Sequence, residues 1–401
     1  MRILVHDSAG HPFQAQLSRE LARRGHVVMH SYLAKQGGRS GALERLPSDP
    51  KDLVFHPIVL DRPAGPPNGV LRRLRQELAY GRATADVVAK FRPDVVVSSN
   101  TPLVVQRLFL RAARRNGSKF VFWMQDRVSV SQARKVRRRF GIIGLPAATI
   151  LRRLERSSLV GSDAVVAVSP AFEEPLREAG VAADRVAVIP NWAPLDEIVP
   201  VARDNDWASE HGLTSKLVYM YAGSLGLKHD PASLVDLAQA IPEAMVVVIA
   251  QGSGASLVES EAARLGLTNV LVLPSQPYER LSDVLGAADV LLAILDRQGG
   301  VYSVPSKVLS YLCAERPVLA SVPHANLAAQ VIVDSGGGIV VEPGQKDDWL
   351  RAAGELARDE QLRAALARNG RDYAERTFDI GRIADEFEAV IGRARAGPND
   401  T

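Results

Sequence analysis

The sequence predicts an α/β protein built from two doubly wound domains. Three observations carry that prediction: apolar runs of strand length without polar alternation, amphipathic helical stretches between them, and a restart of the same rhythm midway through the 401 residues. Strands buried on both faces read as near-continuous Val, Ile and Leu, which marks a parallel sheet covered by helices on each side. With 46% hydrophobic and 23% charged residues, the chain is long enough for two cores of ordinary size.

The first domain, expected over 1–192, opens with the strand "RILVHD" and the helix-period stretch "HPFQAQLSRELARRGHVV". It continues through "DLVFHPIVL", "ELAYGRATADVVAKFRPDVVVSSN", "TPLVVQRLFLRAARRNGSKFVFWMQD" and "RSSLVGSDAVVAVSP". Residues 193–210, with Pro194, Pro200 and mixed charges, predict a linker. The second domain, expected over 211–376, starts at "KLVYMYAGSLG" and alternates through "AMVVVIAQGSG", "NVLVLPSQP", "DVLLAIL", "RPVLASV" and "GGGIVVEPG" with helical stretches between. From Asp347 to Arg395 the pattern is almost entirely helical, and "ARAGPNDT" at the end is expected to fray.

Composition narrows the function. A lone cysteine, Cys313, in an apolar helical segment reads as a small buried thiol and fits a reducing compartment. The sequence has no charged-then-apolar leader pattern at its start and no apolar run of spanning length, so a cytoplasmic protein is expected. Charge is unevenly split: residues 1–200 hold 31 Lys and Arg against 18 Asp and Glu, and residues 201–401 hold 18 against 27. The two halves are therefore expected to face different partners.

Open α/β sheets bind ligands beyond the carboxyl ends of their strands, so the strand-to-helix loops are where chemistry is sought. In the second domain the loop "AGSLGLKHD" offers Gly223, Ser224 and Lys228 ahead of a helix near Pro231, which suits a phosphate. It is neither a P-loop nor a dinucleotide fingerprint, and a plain glycine turn is equally compatible. In "GVYSVPSKVLSYL", Ser303, Val304, Pro305, Ser306 and Lys307 open a helix whose first amides form a second anion site, or simply a capped helix. Two anion sites in one domain suggest a diphosphate. Gly252 and Ser253, and Gln276 beside Pro277, lie in strand-end loops that could meet a base or sugar or be ordinary turns. In the first domain Asp7, Gly10 and His11 follow one strand and Gln125 and Asp126 another, where such groups move protons, hold hydroxyls or cap helices. No hydrolase triad, nucleophile elbow or metal-spaced ligand set is present, so no metal is expected.

One stretch stands apart from the α/β rhythm. Arg134, Lys135, Arg137, Arg138 and Arg139 run directly into Phe140, Ile142 and Ile143, with Arg152 and Arg153 soon after. Basic residues beside apolar ones, in a segment too short to span a bilayer, suit an interfacial element against anionic headgroups. A solvated helix face is the competing reading. A nucleic-acid surface would add aromatic stacking, and a single Phe argues against it.

The residues also match a known family. "AGHPFQAQLSRELARRGHVV", "FWMQD", "SDAVVAVSPAF", "RVAVIPNWAPLDEI", "YAGSLGLKHDPASL", "LPSQPYERLSDVLGAADVLLAIL", "VPSKVLSYLCAERPVLASV" and "GGGIVVEPG" occur in the family's order over nearly the whole chain. The chain resembles the retaining glycosyltransferases of family 4, in particular their capsule and exopolysaccharide (colanic acid, fucosamine) members. The resemblance implies the GT-B fold: two Rossmann-like domains facing a cleft, an acceptor-binding first domain, a nucleotide-sugar-binding second domain, and a C-terminal helix over 377–401 returning to the first.

It further implies metal-independent sugar transfer from a nucleotide-diphosphate donor, UDP favoured, with no cofactor. The acceptor is expected to be a lipid-linked saccharide at an anionic membrane surface, on the inner face of the cell membrane, and no nucleic acid is expected to bind. Lys228 falls at the family's phosphate-binding lysine, residues 303–306 where amides meet the diphosphate, Gln276 and Pro277 in the base-binding turn, and Gly10 in the N-terminal glycine loop. His11 and Asp126 are the candidates for holding acceptor or donor sugar. Two departures matter. The family's paired glutamates are Tyr302 and Ser310 here, and the arginine after the phosphate-loop glycine is Ser224. The resemblance therefore does not carry those three roles over, although Ser310 can still bond a ribose hydroxyl. A soluble acceptor, donor epimerisation and a non-catalytic nucleotide-sugar binder are the alternatives.

Overall fold

Each apolar run forms a parallel strand, as a computed structural model of the chain shows for residues 1–8, 10–34, 43–60, 70–99, 101–226, 229–297 and 307–396. The chain divides into two units, residues 1–191 with 380–401, and residues 192–379.

The first unit contains β1 (Arg2–Asp7), α1 (Pro12–Arg23), β2 (Val27–Leu33), β3 (Leu53–Ile58), α2 (Val70–Phe91), β4 (Val95–Ser99) and α3 (Leu103–Arg115). It continues with β5 (Lys119–Met124), α4 (Val128–Phe140), α5 (Leu145–Gly161), β6 (Ala164–Ala167), α6 (Glu173–Ala179) and β7 (Val186–Val188). Its seven strands are all parallel in the order β3-β2-β1-β4-β5-β6-β7. β4 is buried along its whole length and β1 from Ile3 onward, as a sheet covered on both faces requires. Pro57 sits in β3, where an edge strand tolerates the missing donor.

The second unit contains α7 (Asp206–Glu210), β8 (Leu217–Ala222), α8 (Ala232–Ala240), β9 (Ala244–Ile249), α9 (Ser253–Leu265), β10 (Val270–Leu273) and α10 (Leu281–Gly286). Then come β11 (Val290–Ile294), α11 (Lys307–Cys313), β12 (Val318–Ser321), α12 (Leu327–Ser335), β13 (Gly338–Val341), α13 (Lys346–Arg358) and α14 (Glu360–Thr377). Its six parallel strands run β10-β9-β8-β11-β12-β13, the same winding as the first sheet. The core centres on Tyr219, Tyr221, Val246, Val248, Leu292 and Leu319. Cys313 is buried within this unit, and burial pushes its thiol up to about 12.

Residues 193–210 are an integral part of the second unit rather than a free linker. Ala193, Ile198, Trp207 and Ala208 are buried in it, and Arg203 pairs with Asp289 at 3.0 Å while donating to the carbonyls of Leu213 and Lys216. Pro194 opens a turn, its carbonyl accepting from the Glu197 and Ile198 amides at 3.2 and 3.0 Å, and the packing is not loosened.

The last helix, α15 (Ile380–Ala396), belongs to the first unit. Phe387 packs edge-on against Trp123 at 4.7 Å between ring centres. Arg24 reaches Asp385, Glu388 and the carbonyl of Gly381, and His26 meets Glu388 at 2.7 Å. The helix runs to Ala396 and so takes in the first three residues of the tail expected to fray; residues 397–401 lie outside the described residues.

Candidate functional site

Strand order reverses beside the first strand of each sheet, between β1 and β4 and again between β8 and β11. At such a switch point the connecting helices leave to opposite faces and the carboxyl ends of the strands are open to a ligand. Of the sequence-selected loops, those after β1 and β8 sit at these two places, whereas Asp126 follows β5, Gly252 and Ser253 follow β9, and Gln276 follows β10.

In the second unit, β8 delivers Gly223 at φ +132°, a conformation that disfavours a side chain. Its amide donates to Ile249 at 2.9 Å, which ties the loop to β9. Two tyrosines fix the surroundings. The Tyr221 hydroxyl donates to the Ser224 carbonyl at 2.6 Å, and the Tyr311 hydroxyl lies 3.1 Å from both the amide and the carbonyl of Ala222. Burial pushes both phenols well above their usual range, so they act as neutral hydrogen-bonding groups.

Tyr311 thereby lays α11 across the switch point, and Lys307 at the start of that helix is carried to the glycine loop. Its ammonium is buried, 3.4 Å from the centre of the Tyr221 ring. A Cβ on Gly223 would stand 3.2 Å from this nitrogen, so glycine is what leaves the amine its place. Ser310, three residues on, shares the same helical face. Gly254 in the first turn of α9 donates to the Leu225 carbonyl at 3.2 Å, and a Cβ there would stand only 2.6 Å from that oxygen. The loops after β8 and β9 therefore touch backbone to backbone, with Gly252 at φ +101° and Ser253 opening α9.

Gln276 is engaged inside the protein. Its side-chain carbonyl accepts from the Trp207 indole at 3.2 Å and its amide donates to the Pro274 carbonyl at 2.9 Å. The side chain shapes the turn before Pro277. Lys228 and residues 302–306 lie outside the described residues.

In the first unit, the Asp7 carboxylate at the end of β1 is fully buried and accepts from both the backbone amide and the ring Nδ1 of His11, the latter at 2.9 Å. The imidazole is thus oriented from behind while part of it stays exposed. Gly10 precedes it at φ +73°. Asp126 is exposed at the end of β5, two strands from β1 and therefore about 10 Å away along the same sheet edge. Gln125 accepts from the Asn191 amide.

Sequence reading missed what lies beneath this edge. His6 is bonded on both ring nitrogens, to Ser31 Oγ and Tyr80 Oη at 2.8 Å each, and His30 meets Ser18 at 2.8 Å. Burial lowers both imidazoles to about 4, so both are neutral. Gln14 donates to Ser99 at 2.8 Å and Ser98 to Gln106 at 2.7 Å, extending the seam to β4. The signal was present in the polar letters within otherwise apolar strands.

The basic stretch forms an antiparallel pair, α4 and α5, joined by a 3-10 turn over Gly141–Gly144. Arg134 and Arg137 are exposed on α4, and Ile142 and Ile143 at the turn are 83% and 88% exposed. The side chains of Lys135, Arg138, Arg139 and Phe140 lie outside the described residues. Among the described residues no helix is long and apolar enough to cross a membrane, and no cluster of three or more His, Cys, Asp or Glu is placed to hold a metal ion.

Comparison with known proteins matches this division. Residues 14–197 match the family model Glycosyltransferase Family 4, and residues 204–373 match Glycosyl transferases group 1. A colanic acid biosynthesis glycosyl transferase of Escherichia coli (strain K12), WcaI, is 26% identical over 61% of this chain and 60% of its own length. A glycosyltransferase of Pseudomonas aeruginosa, WbjE, is 24% identical over 66% of each. The chain thus spans less than two thirds of the length of these curated relatives. Among solved structures, Anabaena Alr3699/HepE in complex with UDP and glucose is 17% identical, covers 98% of this chain and 99% of its own, and superposes with a TM-score of 0.73. The two matched models together take in most of both units, and the chain belongs to the GT-B glycosyltransferases that join a family 4 unit to a group 1 unit.

Proposed function

We propose that the protein transfers a sugar from a nucleotide-diphosphate donor to a lipid-linked saccharide, with retention at the anomeric carbon and without a metal. The observation that carries this reading is the buried Lys307 ammonium beside Gly223 at the β8/β11 switch point. Family members place an arginine at the position of Ser224, and Lys307 brings a positive charge to the same loop. UDP is the favoured nucleotide because the Anabaena structure is a complex with UDP and glucose.

In this reading the acceptor hydroxyl attacks the anomeric carbon on the face from which the diphosphate leaves. The bond between that carbon and the diphosphate oxygen breaks, and the hydroxyl proton passes to the departing phosphate. Lys307, with Lys228 and the amides of 303–306, offsets the charge that develops there. Gln276 and Pro277 shape the base-binding turn, Ser310 bonds the ribose, and His11, oriented by Asp7, holds a sugar hydroxyl with Asp126. The relative named for colanic acid biosynthesis supports a saccharide acceptor, and the basic α4–α5 face supports a lipid-linked one.

The test is UDP release from a panel of UDP-sugars with lipid-linked or soluble saccharide acceptors. Lys307→Met is expected to lower kcat by about 10²–10³-fold, and Ser224→Arg in that background to restore at least about tenfold, since it returns a cation to the loop. Full turnover by Lys307→Met removes the lysine from the site. Release unaffected by any saccharide acceptor removes the transferase reading, and inversion of the product's anomeric centre removes retention. Loss of activity in EDTA would show a metal requirement.

A further inference from the structure

We propose that the α4–α5 hairpin is a membrane-docking device: its turn enters an anionic bilayer, and the groove behind the turn seats the phosphate of one lipid. The groove has a volume of about 550 Å³ and is lined by Arg134 and Arg137 from α4, Arg152 from α5, and apolar Val130, Ala133 and Leu145. Three guanidiniums around an apolar floor match a lipid headgroup, in which a phosphate sits directly above hydrocarbon.

Local structure explains why the hairpin presents these groups outward. Residues 127–154 contain eight Lys or Arg and no Asp or Glu. The carboxylate that ends the run, Glu155, is buried, and it accepts from the Ser129 amide at 2.9 Å and the Ser129 hydroxyl at 2.5 Å. That clamp holds the start of α4 against α5 and turns the Glu155 carboxylate inward. At the other end Gly141 closes α4 at φ +57°, and Gly144 lies so close to α4 that a Cβ would stand 2.9 Å from Val136 Cγ1 and 3.0 Å from its carbonyl. With the turn folded flush against the helix, Ile142 and Ile143 have no protein to pack on and project at its tip. Leu145 and Ile150, 45% and 56% exposed, continue the apolar surface along α5. Aliphatic residues at the tip with arginines set behind them are the order in which an entering element meets hydrocarbon and then phosphate. An acidic protein partner would be met by the charges alone and leaves the tip unexplained.

The proposal gains its purpose from the lipid-linked acceptor but is tested without it. The full chain is floated with vesicles of phosphatidylcholine alone and with a third of phosphatidylglycerol, with no donor or acceptor present, so docking can fail while UDP release stands. Wild type should bind the anionic vesicles and not the neutral ones. Changing Arg134, Arg137 and Arg152 together to Ser should weaken binding on the order of 100-fold. Changing Arg177, Arg264 and Arg351 to Ser removes equal charge from exposed sites elsewhere and should change binding less than about threefold. Ile142→Ser with Ile143→Ser removes the apolar tip, including the Ile142 side chain that also lines the groove, keeps the groove charges and should cost about tenfold or more. Absence of wild-type binding, equal binding to neutral vesicles, or equal losses in the two arginine triples overturns the proposal. So does a tip variant that binds like wild type.

Discussion

The two units share one winding and differ in what they bury. Among the described residues, twenty buried polar or charged side chains belong to the first unit and three, Ser321, Asn326 and Ser335, to the second. Since strand order is the same, topology does not explain the contrast. The first unit carries sets of buried polar bonds under its switch point: Ser31, His6 and Tyr80 form one, His30, Ser18, Gln14 and Ser99 another, and Ser98 and Gln106 lie beside them on β4 and α3. The second has an aliphatic and aromatic core, with a lysine set at its edge by two tyrosines. A sheet's winding determines where a ligand can approach, and the interior chemistry of each unit determines what supports the groups that meet it.

The sharpest way to break the comparison is at the buried pair Arg19–Asp49, 2.8 Å apart in the first unit. Arg19→Met leaves Asp49 buried without its partner and also removes the bond to the Glu44 carbonyl. It should cost about 3–5 kcal/mol. Hydrogen exchange read peptide by peptide should show that loss in strands β1–β5 and not in β8–β13; equal loss in both would deny the units separate stabilities.

Acid comes next. The unfolded chain takes up a proton on His6 and His30 near 6.5, whereas the folded first unit refuses it until about 4. The unfolded state therefore binds more protons between those values. Stability contributed by the neutral imidazoles is complete above about 6.5 and is lost as pH falls toward 4, on the order of 3 kcal/mol for each histidine. Among the described residues no histidine of the second unit is buried. Exchange protection of the first unit should fall across this window ahead of the second, and a simultaneous fall would refute the assignment.

The smallest effect sharpens the comparison from the other side. Tyr311→Phe removes the hydroxyl that joins α11 to Ala222 and should cost about 1–3 kcal/mol. Faster exchange is expected at residues 307–313 and 222–224 while the first unit is unchanged. Uniform destabilisation of the second unit would mean that α11 is not separately pinned.

Much of the architecture was legible in the sequence because parallel strands covered on both faces leave uninterrupted apolar runs. The glycine loops were legible for a similar reason, since Gly223 and Gly252 adopt backbone conformations that few other residues take. Pairings across the sequence were not. Nothing in "YMYAG" or "PSKVLSYL" states that Lys307 lies on Tyr221, because periodicity assigns a face and not a partner. Residues 193–210 misled for want of period: Ile198 and Trp207 are buried, but too far apart to mark an element among prolines and charges. Gln276 was selected for its place in a strand-end loop, which gave no sign that Trp207 holds its side chain. In the hairpin, composition showed a basic and apolar mixture, and the close approach of Gly144 decided which residues form the tip.

The return of α15 has a consequence for how the chain is made. Arg24 meets Glu388, 364 residues later in synthesis, and Trp123 waits for Phe387 to cover it. The second unit is thus an insertion within the first, able to close its own core while the earlier half still lacks its last helix. Folding along the ribosome should therefore finish out of order, with the unit begun first completed last. During that interval the face awaiting α15 is the surface most in need of protection from aggregation.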